Sequence, residues 1–336
     1  MAERDEIKAA FLAGAGWQLA ERHFLAADSS MRSYERLRLR DKTAVLMDAP
    51  PEKDSETGQF VQIAQYLSHC GVSAPRILAE DVPKGFLLLE DLGDDLFARC
   101  ISNDLYPEPL LYAAATDVLV HLQSQPPPTG LSNLSAAQWA DAAAYALDWY
   151  RFAITGDRLG TDQFKAILTD HLQRFADGPR VMVLRDYHAE NLLWLPDRIG
   201  IGKVGVLDFQ LAQMGQPGYD LVSLLQDARR DVAPEVETAM IRRFVTVKGC
   251  DESTYRLGYA TLGAQRALRI IGIFARLCLA VGKPGYVAKI PRVWAQLQRN
   301  LQAPQLKSLA DICSDLLPVP TAENLSVIES KCNLYR

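Results

Sequence analysis

Val183-Leu-Arg-Asp186-Tyr-His188-Ala-Glu-Asn191-Leu-Leu-Trp194 is the stretch that decides how this chain is read. An apolar strand leads into Asp186, four residues intervene before Asn191, and a second apolar strand follows. Seventeen residues after Asn191, the run Val204-Gly-Val-Leu-Asp208-Phe-Gln brings in another acid. Short apolar runs bounded by polar residues read as buried strands. Strand, loop and strand then bring Asn191 and Asp208 together across one hairpin. Phosphoryl transfer needs a carboxylate to position and deprotonate a hydroxyl, and oxygen ligands for the metal ion that bridges the phosphates. Mg²⁺ prefers hard donors, such as a carboxylate and an amide oxygen. Asp186, Asn191 and Asp208 provide that set. A lone Asp-x-x-x-x-Asn arises by chance, and each acid alone reads as a structural cap. The weight lies in the whole set together with its flanking strands.

Upstream, residues 2–24 read as helical, with Ile7, Phe11, Leu12 and Leu19 near helical spacing. Tyr34–Arg40 alternates polar and apolar, Asp41-Lys42 signals a turn, and Thr43–Met47 is a second strand, so the pair makes a β-hairpin. Residues 56–70 form a helix with Phe60, Ile63, Ala64 and Leu67 on one face and Gly71 past its end. Gly85–Leu89 is a short apolar strand ending in the polar turn Glu90-Asp-Leu-Gly93. From about residue 105 the chain is mostly helical apart from the β runs at 181–184 and 204–208. Residues 318–336 show weak periodicity and read as loosely held. The order predicts an α+β, bilobal chain with a small β-containing N-terminal lobe (1–90) and a mainly helical C-terminal lobe (91–336). Residues 88–93 form the hinge.

With 336 residues, two lobes or domains is the natural expectation. The net charge of −5 gives no basic footprint for nucleic acid. No apolar run approaches the ~20 residues of a membrane span, and the N-terminus has no secretory signal pattern. Six cysteines lie scattered without close pairs, which argues against a zinc site or a disulfide scaffold and reads as reduced thiols in a cytoplasmic protein.

Asp-x-x-x-x-Asn followed by an apolar strand ending in Asp-Phe resembles the catalytic and metal-binding loops of protein kinases. Leu-Arg-Asp186-Tyr-His188-Ala-Glu-Asn191 is similar to the aminoglycoside-phosphotransferase (choline kinase-like) variant, where His-Gly-Asp-x-His-x-x-Asn is usual; Leu184-Arg185 replaces the leading His-Gly. Four further stretches resemble the anomeric N-acetylmuramate/N-acetylglucosamine kinases: Val45–Pro51, Gly85–Gly93, Tyr219–Asp231 and Gly263–Leu277. The resemblance spans roughly residues 25–300. It implies a protein-kinase-like fold and transfer of the γ-phosphoryl group of ATP, with Mg²⁺, to a sugar hydroxyl. Asp186 would be the catalytic base, and Asn191 and Asp208 the metal ligands. The hinge residues Leu89, Glu90 and Asp91 would hold adenine through backbone groups.

The chain departs from the kinase pattern in the N-terminal lobe. Met47 stands near the position of the strand lysine, and no Gly-x-Gly-x-x-Gly loop precedes it. The corresponding turn, Asp28–Ser33, offers Ser29, Ser30 and Arg32 to the phosphates instead, and Glu52 or Glu56 is the acid of the following helix. Arg266, Arg269 and Arg276 share a helical face; with Arg229 and Arg230 they are candidates for a substrate carboxylate, or a solvated face. Trp149 and Tyr150 read as core or as a stacking platform, Asp220 as an anchor of its turn, and His188 as a stabiliser of the loop. Three rival readings remain. An aminoglycoside kinase wants an acidic pocket, whereas residues 229–276 hold nine Lys/Arg against five Asp/Glu. A choline-type kinase wants an aromatic cage. A nucleotide-binding pseudokinase accounts for Met47 but not for the intact Asp/Asn/Asp set.

Overall fold

A computed structural model of the chain describes residues 2–27, 32–52 and 56–335. In chain order the N-terminal part runs α1 (Ala2–Gly14), β1 (Glu21–Ala27), β2 (Ser33–Leu39), β3 (Lys42–Asp48), α2 (Thr57–His69), β4 (Ile77–Asp81) and β5 (Phe86–Glu90). The middle part runs α3 (Phe97–Ser102), α4 (Glu108–Leu122), α5 (Ala136–Ala143), α6 (Phe152–Thr155), α7 (Thr161–His171), β6 (Val181–Val183), β7 (Leu192–Trp194), β8 (Val204–Val206) and β9 (Gln213–Gly215). The remainder is α8 (Tyr219–Leu225), α9 (Pro234–Lys248), α10 (Glu252–Val281), α11 (Ile290–Asn300), α12 (Lys307–Leu316) and α13 (Ala322–Ser330). This is the expected α+β pattern, with the main sheet near the N-terminus and helices dominating after it.

The chain forms two compact units. One comprises Met1–Thr129 with Leu184–Ala212, the other Gly130–Val183 with Gln213–Arg336. The division expected at residue 90 is a different one and falls inside the first unit.

The first unit is built on an antiparallel sheet of order β1-β2-β3-β5-β4. Alternation along the strands sorts its faces. Leu37, Ala44, Leu46, Phe86 and Leu88 bury one face against Leu12 and the apolar side of α1. Val45, Met47, Leu87 and Leu89 are buried on the other face, which explains why the central strand β3 reads as continuously apolar. Asp48 falls on the α1 face and is paired there with Lys8 at 2.7 Å and Arg4 at 2.7 Å.

The helix expected over 2–24 stops at Gly14, and residues 21–27 are instead the edge strand β1. The other edge, β4, was also absent from the expectation. Edge strands bury one flank at most and carry mixed polarity, so their pattern is weak. The runs 181–184 and 204–208 do not pair with each other: β6 pairs with β9, and β8 with β7.

In the second unit the 30-residue α10 is the central element, flanked by α5, α8 and α11. The C-terminal stretch is held rather than loose. Ile328 is fully buried, and the Asn333 and Tyr335 amides donate to the Cys278 and Leu279 carbonyls of α10. All six cysteines are free thiols. No helix among the described residues is long and apolar enough to cross a membrane.

Gly85 sets the start of β5, which leads to the 88–93 segment. Its φ is +72°, and a Cβ there would overlap the Ala49 carbonyl oxygen. Its own carbonyl accepts from the Ala49 amide at 2.8 Å. Gly85→Ala is expected to destabilise the chain by about 2–4 kcal/mol, from the left-handed backbone and the overlap together. Denaturant unfolding of the two chains side by side checks this.

Candidate active site

Asp186, Asn191 and Asp208 come together within the first unit. The approach to Asp186 is a strained turn. Arg185 has φ +72°, and the Asp186 amide donates to the Leu184 carbonyl two residues back at 2.9 Å. That is a γ-turn of the uncommon positive-φ kind, where a long side chain is costly. The turn is held in place by its neighbours. Tyr187 is buried and donates its hydroxyl to the Ala115 carbonyl of α4 at 2.9 Å. The Ala98 amide of α3 donates to the Ala189 carbonyl at 3.0 Å.

Asn191 closes the loop. Its Nδ2 donates to the Asp186 carbonyl at 2.9 Å and to Asp208 Oδ2 at 3.3 Å, and it lies 3.4 Å from His188 Nε2. His188 is 2% exposed, so it braces the loop from inside. The β7–β8 ladder, continued by the Leu207 amide donating to the Asn191 carbonyl at 2.9 Å, brings Asn191 and Asp208 to the same end of the hairpin. Asp208 has φ +56°, a left-handed conformation that Asp tolerates better than most residues.

Gln210 was not singled out from the sequence. Buried and two residues beyond Asp208, it donates Nε2 to Asp208 Oδ1 at 2.7 Å and thereby orients the carboxylate. Phe209, fully buried, packs 4.8 Å from the Phe60 ring of α2. The donor chemistry suits a hard cation: one carboxylate and one amide oxygen, with room in such a set for phosphate oxygens and water. Among the described residues no group of three or more His, Cys, Asp or Glu could hold a metal by itself.

Ser29 and Ser30 lie outside the described residues. Arg32 lies just before β2 and continues the alternation that puts Tyr34 opposite Met47, on the sheet face away from α1. Its side chain is buried and pairs with Glu56, at the start of α2, at 2.6 Å. A buried guanidinium therefore stands just before β2, paired with the start of α2. Glu56, rather than Glu52, is the acid that meets it.

Leu89 is buried between Val45 and Ile77 in the sheet. The Glu90 carboxylate accepts from Arg76 at 3.1 Å and Arg198 at 2.9 Å, and Asp91 pairs with Arg36 at 2.9 Å. Arg36 also holds the Asp94 carboxyl below its usual range by hydrogen bonding. The side chains at 90 and 91 are thus engaged in ion pairs that brace the segment.

The candidate substrate residues fall in the second unit. Arg266 is 5% exposed and donates to Ser223 Oγ at 2.8 Å and the Gln226 carbonyl at 3.3 Å, tying α10 to α8. Arg269 is half-buried, and Arg276 is exposed and lies over the Trp149 ring at 5.7 Å. The shared helical face is thus divided among three environments. Arg229 and Arg230 are half-buried just beyond α8, with the Arg229 amide donating to Asp227 Oδ1 at 2.8 Å. Tyr150 is core, its hydroxyl donating to the Pro318 carbonyl at 2.7 Å, and Asp220 is buried in the first turn of α8.

Residues 21–253 match the model of the phosphotransferase enzyme family, APH. An N-acetylmuramate/N-acetylglucosamine kinase of Caulobacter vibrioides is 36% identical, over 95% of this chain and 98% of that protein. Among solved structures, a Plasmodium vivax ethanolamine kinase matches with a TM-score of 0.61 at 12% identity, over 90% of this chain and 89% of that one. The ADP-bound aminoglycoside phosphotransferase APH(2'')-Ib matches with a TM-score of 0.57 at 13% identity, over 87% of this chain and 96% of that one. These two share the fold, a sheet-bearing N-terminal lobe and a helical C-terminal lobe. The family model spans well over half of the chain and carries the Asp186–Asn191–Asp208 constellation within it, so this protein belongs to the phosphotransferase enzyme family.

Proposed function

We propose that the protein phosphorylates N-acetylmuramate or N-acetylglucosamine at the anomeric hydroxyl, using ATP and Mg²⁺, as a cytoplasmic step of cell-wall recycling. The observation that carries the chemistry is the single amide of Asn191 joining the Asp186 backbone to the Asp208 carboxylate. The substrate reading leans on the Caulobacter relative, which is similar over nearly its whole length. In this reading the functional division runs through residues 88–93, with residues 1–90 serving the nucleotide and 91–336 serving catalysis and substrate.

Asp208 and the Asn191 side-chain oxygen would hold Mg²⁺, which would offset charge on the phosphates of ATP, the phosphoryl donor. Asp186 orients the sugar hydroxyl and accepts its proton. Gln210 keeps one Asp208 oxygen engaged, which fixes the orientation in which the carboxylate would meet the metal. Arg32, steadied by Glu56, contacts the phosphates in the role of the absent strand lysine; Ser29 and Ser30 belong to the same group by sequence alone. Backbone groups of Leu89, Glu90 and Asp91 hold adenine. Arg229, Arg230 and Arg269 are the candidates for the carboxylate that distinguishes muramate. Arg266 also belongs to that group by sequence, but its bonds to α8 give it a structural duty as well.

Loss of a general base typically costs about 10²–10⁴ in rate. Asp186→Asn is therefore expected to lose that much kcat while retaining ATP binding, and full turnover would rule the assignment out. Asp208→Asn, which keeps the tolerated backbone, is expected to abolish the Mg²⁺-dependent part of stabilisation by ATP in thermal unfolding. An unchanged Mg-ATP shift would place the metal elsewhere.

The arginines are tested by comparing kcat/KM for the two sugars. In at least one of Arg229→Ala, Arg230→Ala and Arg269→Ala, the muramate value is expected to fall about tenfold or more, as for a lost bond to a charged group. The N-acetylglucosamine value should stay within about twofold, well below the tenfold that a lost bond of this kind represents. Equal losses for both sugars in all three would mean that these residues are structural.

A further inference from the structure

The second unit buries a group of neutral polar side chains whose hydrogen-bonding capacity is unmet. Trp139 of α5 packs its ring 4.6 Å from the ring of Tyr219, the first residue of α8. The Trp139 carbonyl accepts from Gln265 Nε2 of α10 at 2.9 Å. Leu262, one turn before Gln265, meets the residue preceding Tyr219, since a Cβ on Gly218 would lie 3.2 Å from Leu262 Cδ1. On β9, a Cβ on Gly215 would lie 3.6 Å from Trp139 Cζ2. Gln213, two residues earlier on that strand, shares this face. Gln216 follows Gly215 directly, and its backbone carbonyl accepts from the Tyr219 amide at 3.0 Å, which places its backbone beside that ring.

These five side chains are at most 3% exposed. Yet the Trp139 indole N–H, Gln213 Nε2, both amide atoms of Gln216, the Tyr219 hydroxyl and Gln265 Oε1 have no hydrogen-bond partner in the protein. Buried polar groups are almost always paired, because leaving them unmet forfeits their hydration. The same unit shows this elsewhere: Glu237 accepts from Tyr259 at 2.8 Å and pairs with Arg299 at 2.9 Å.

We infer that this cluster is a binding site for the hydroxyl and acetamido groups of the sugar. The inference rests on the amino-sugar kinase reading above and deepens it. The five side chains bring both donors and acceptors and no charge. Sugar hydroxyls both donate and accept, an acetamido carbonyl accepts from indole or amide N–H, and an acetamido N–H donates to a glutamine oxygen. A phosphate or a divalent cation would find neither a cation nor a carboxylate among the five. The cluster also reads along the chain as Gln213-x-x-Gln216-x-x-Tyr219, beginning five residues after Asp208.

The test uses the full chain with N-acetylglucosamine as the probe. KM for the sugar, KM for ATP and the thermal unfolding midpoint are measured for the unmodified protein, Gln216→Leu and Tyr219→Phe. In each variant KM for the sugar is expected to rise about tenfold, the equivalent of one lost hydrogen bond of about 1.4 kcal/mol. KM for ATP should stay within about twofold, a small part of that tenfold change. The midpoint should not fall, because the replaced atoms make no bond in the sugar-free protein. An unchanged sugar KM, with or without a lower midpoint, overturns the site and marks the cluster as a buried-water network. A joint rise in both KM values overturns it as a disturbance of the fold. If Gln216→Leu does not fold, Tyr219→Phe decides alone, since it deletes a single oxygen. Failure of the unmodified protein to turn over either amino sugar overturns the amino-sugar substrate and this site with it, and leaves the phosphotransferase family in place.

Discussion

The Asn191 side-chain amide, 2.9 Å from the Asp186 carbonyl and 3.3 Å from the Asp208 carboxylate, joins the Asp186 loop to the Asp208 turn through side-chain bonds. An amide is well suited to that place. It donates to two acceptors while its oxygen stays available, whereas a carboxylate there would repel Asp208 and favour a shared proton. The rest of the first unit serves this contact. The β7–β8 ladder sets the separation of Asn191 and Asp208, the strained turn at Arg185 aims Asp186, and Tyr187 and His188 fill the space behind the loop. Backbone strain persists only where the surroundings over-determine it, and here α3 and α4 supply that restraint.

The N-terminal sheet sets a buried charge beside an apolar central strand. β3 is central and buried on both faces, so the apolar Met47 is the side chain its packing favours. Arg32, entering the same face from the edge of β2, pairs with Glu56 where α2 begins. α2 also carries Phe60, which packs on Phe209 beside Asp208. One short helix therefore connects the buried guanidinium to Phe209 beside Asp208, and a shift of either end would be felt at the other.

The second unit places polar side chains in its core in two different ways. Around α10 and α11 they satisfy each other: Gln226 and Asn300 exchange amide bonds at 3.1 and 2.8 Å, and Glu237 is met by Tyr259 and Arg299. Such closed networks specify how helices align. The polar atoms around Trp139 do not close in this way. Single unmet atoms occur elsewhere in the unit, such as Asp227 Oδ2 and the Tyr255 hydroxyl, but around Trp139 six of them fall on five neighbouring residues.

The sequence by itself determined the parts whose signal is local. The spacing of Asp186, Asn191 and Asp208, the β2–β3 hairpin, α2 and β5 all follow from periodicity, turn residues and flanking apolar runs read over a few residues. Tertiary structure alone decided what depends on partners far along the chain. β1 and β4 are edge strands, recognised only by the neighbours that pair with them. Arg266 looked equivalent to Arg269 and Arg276 because helical spacing reports a face and not what covers it; Ser223 and Gln226, some forty residues earlier, cover only the first. Gln210 carries no pattern at all, and its role exists only because the turn after β8 folds its amide back onto Asp208. Local periodicity encodes which residues turn inward, and only the packed chain decides which of them meet.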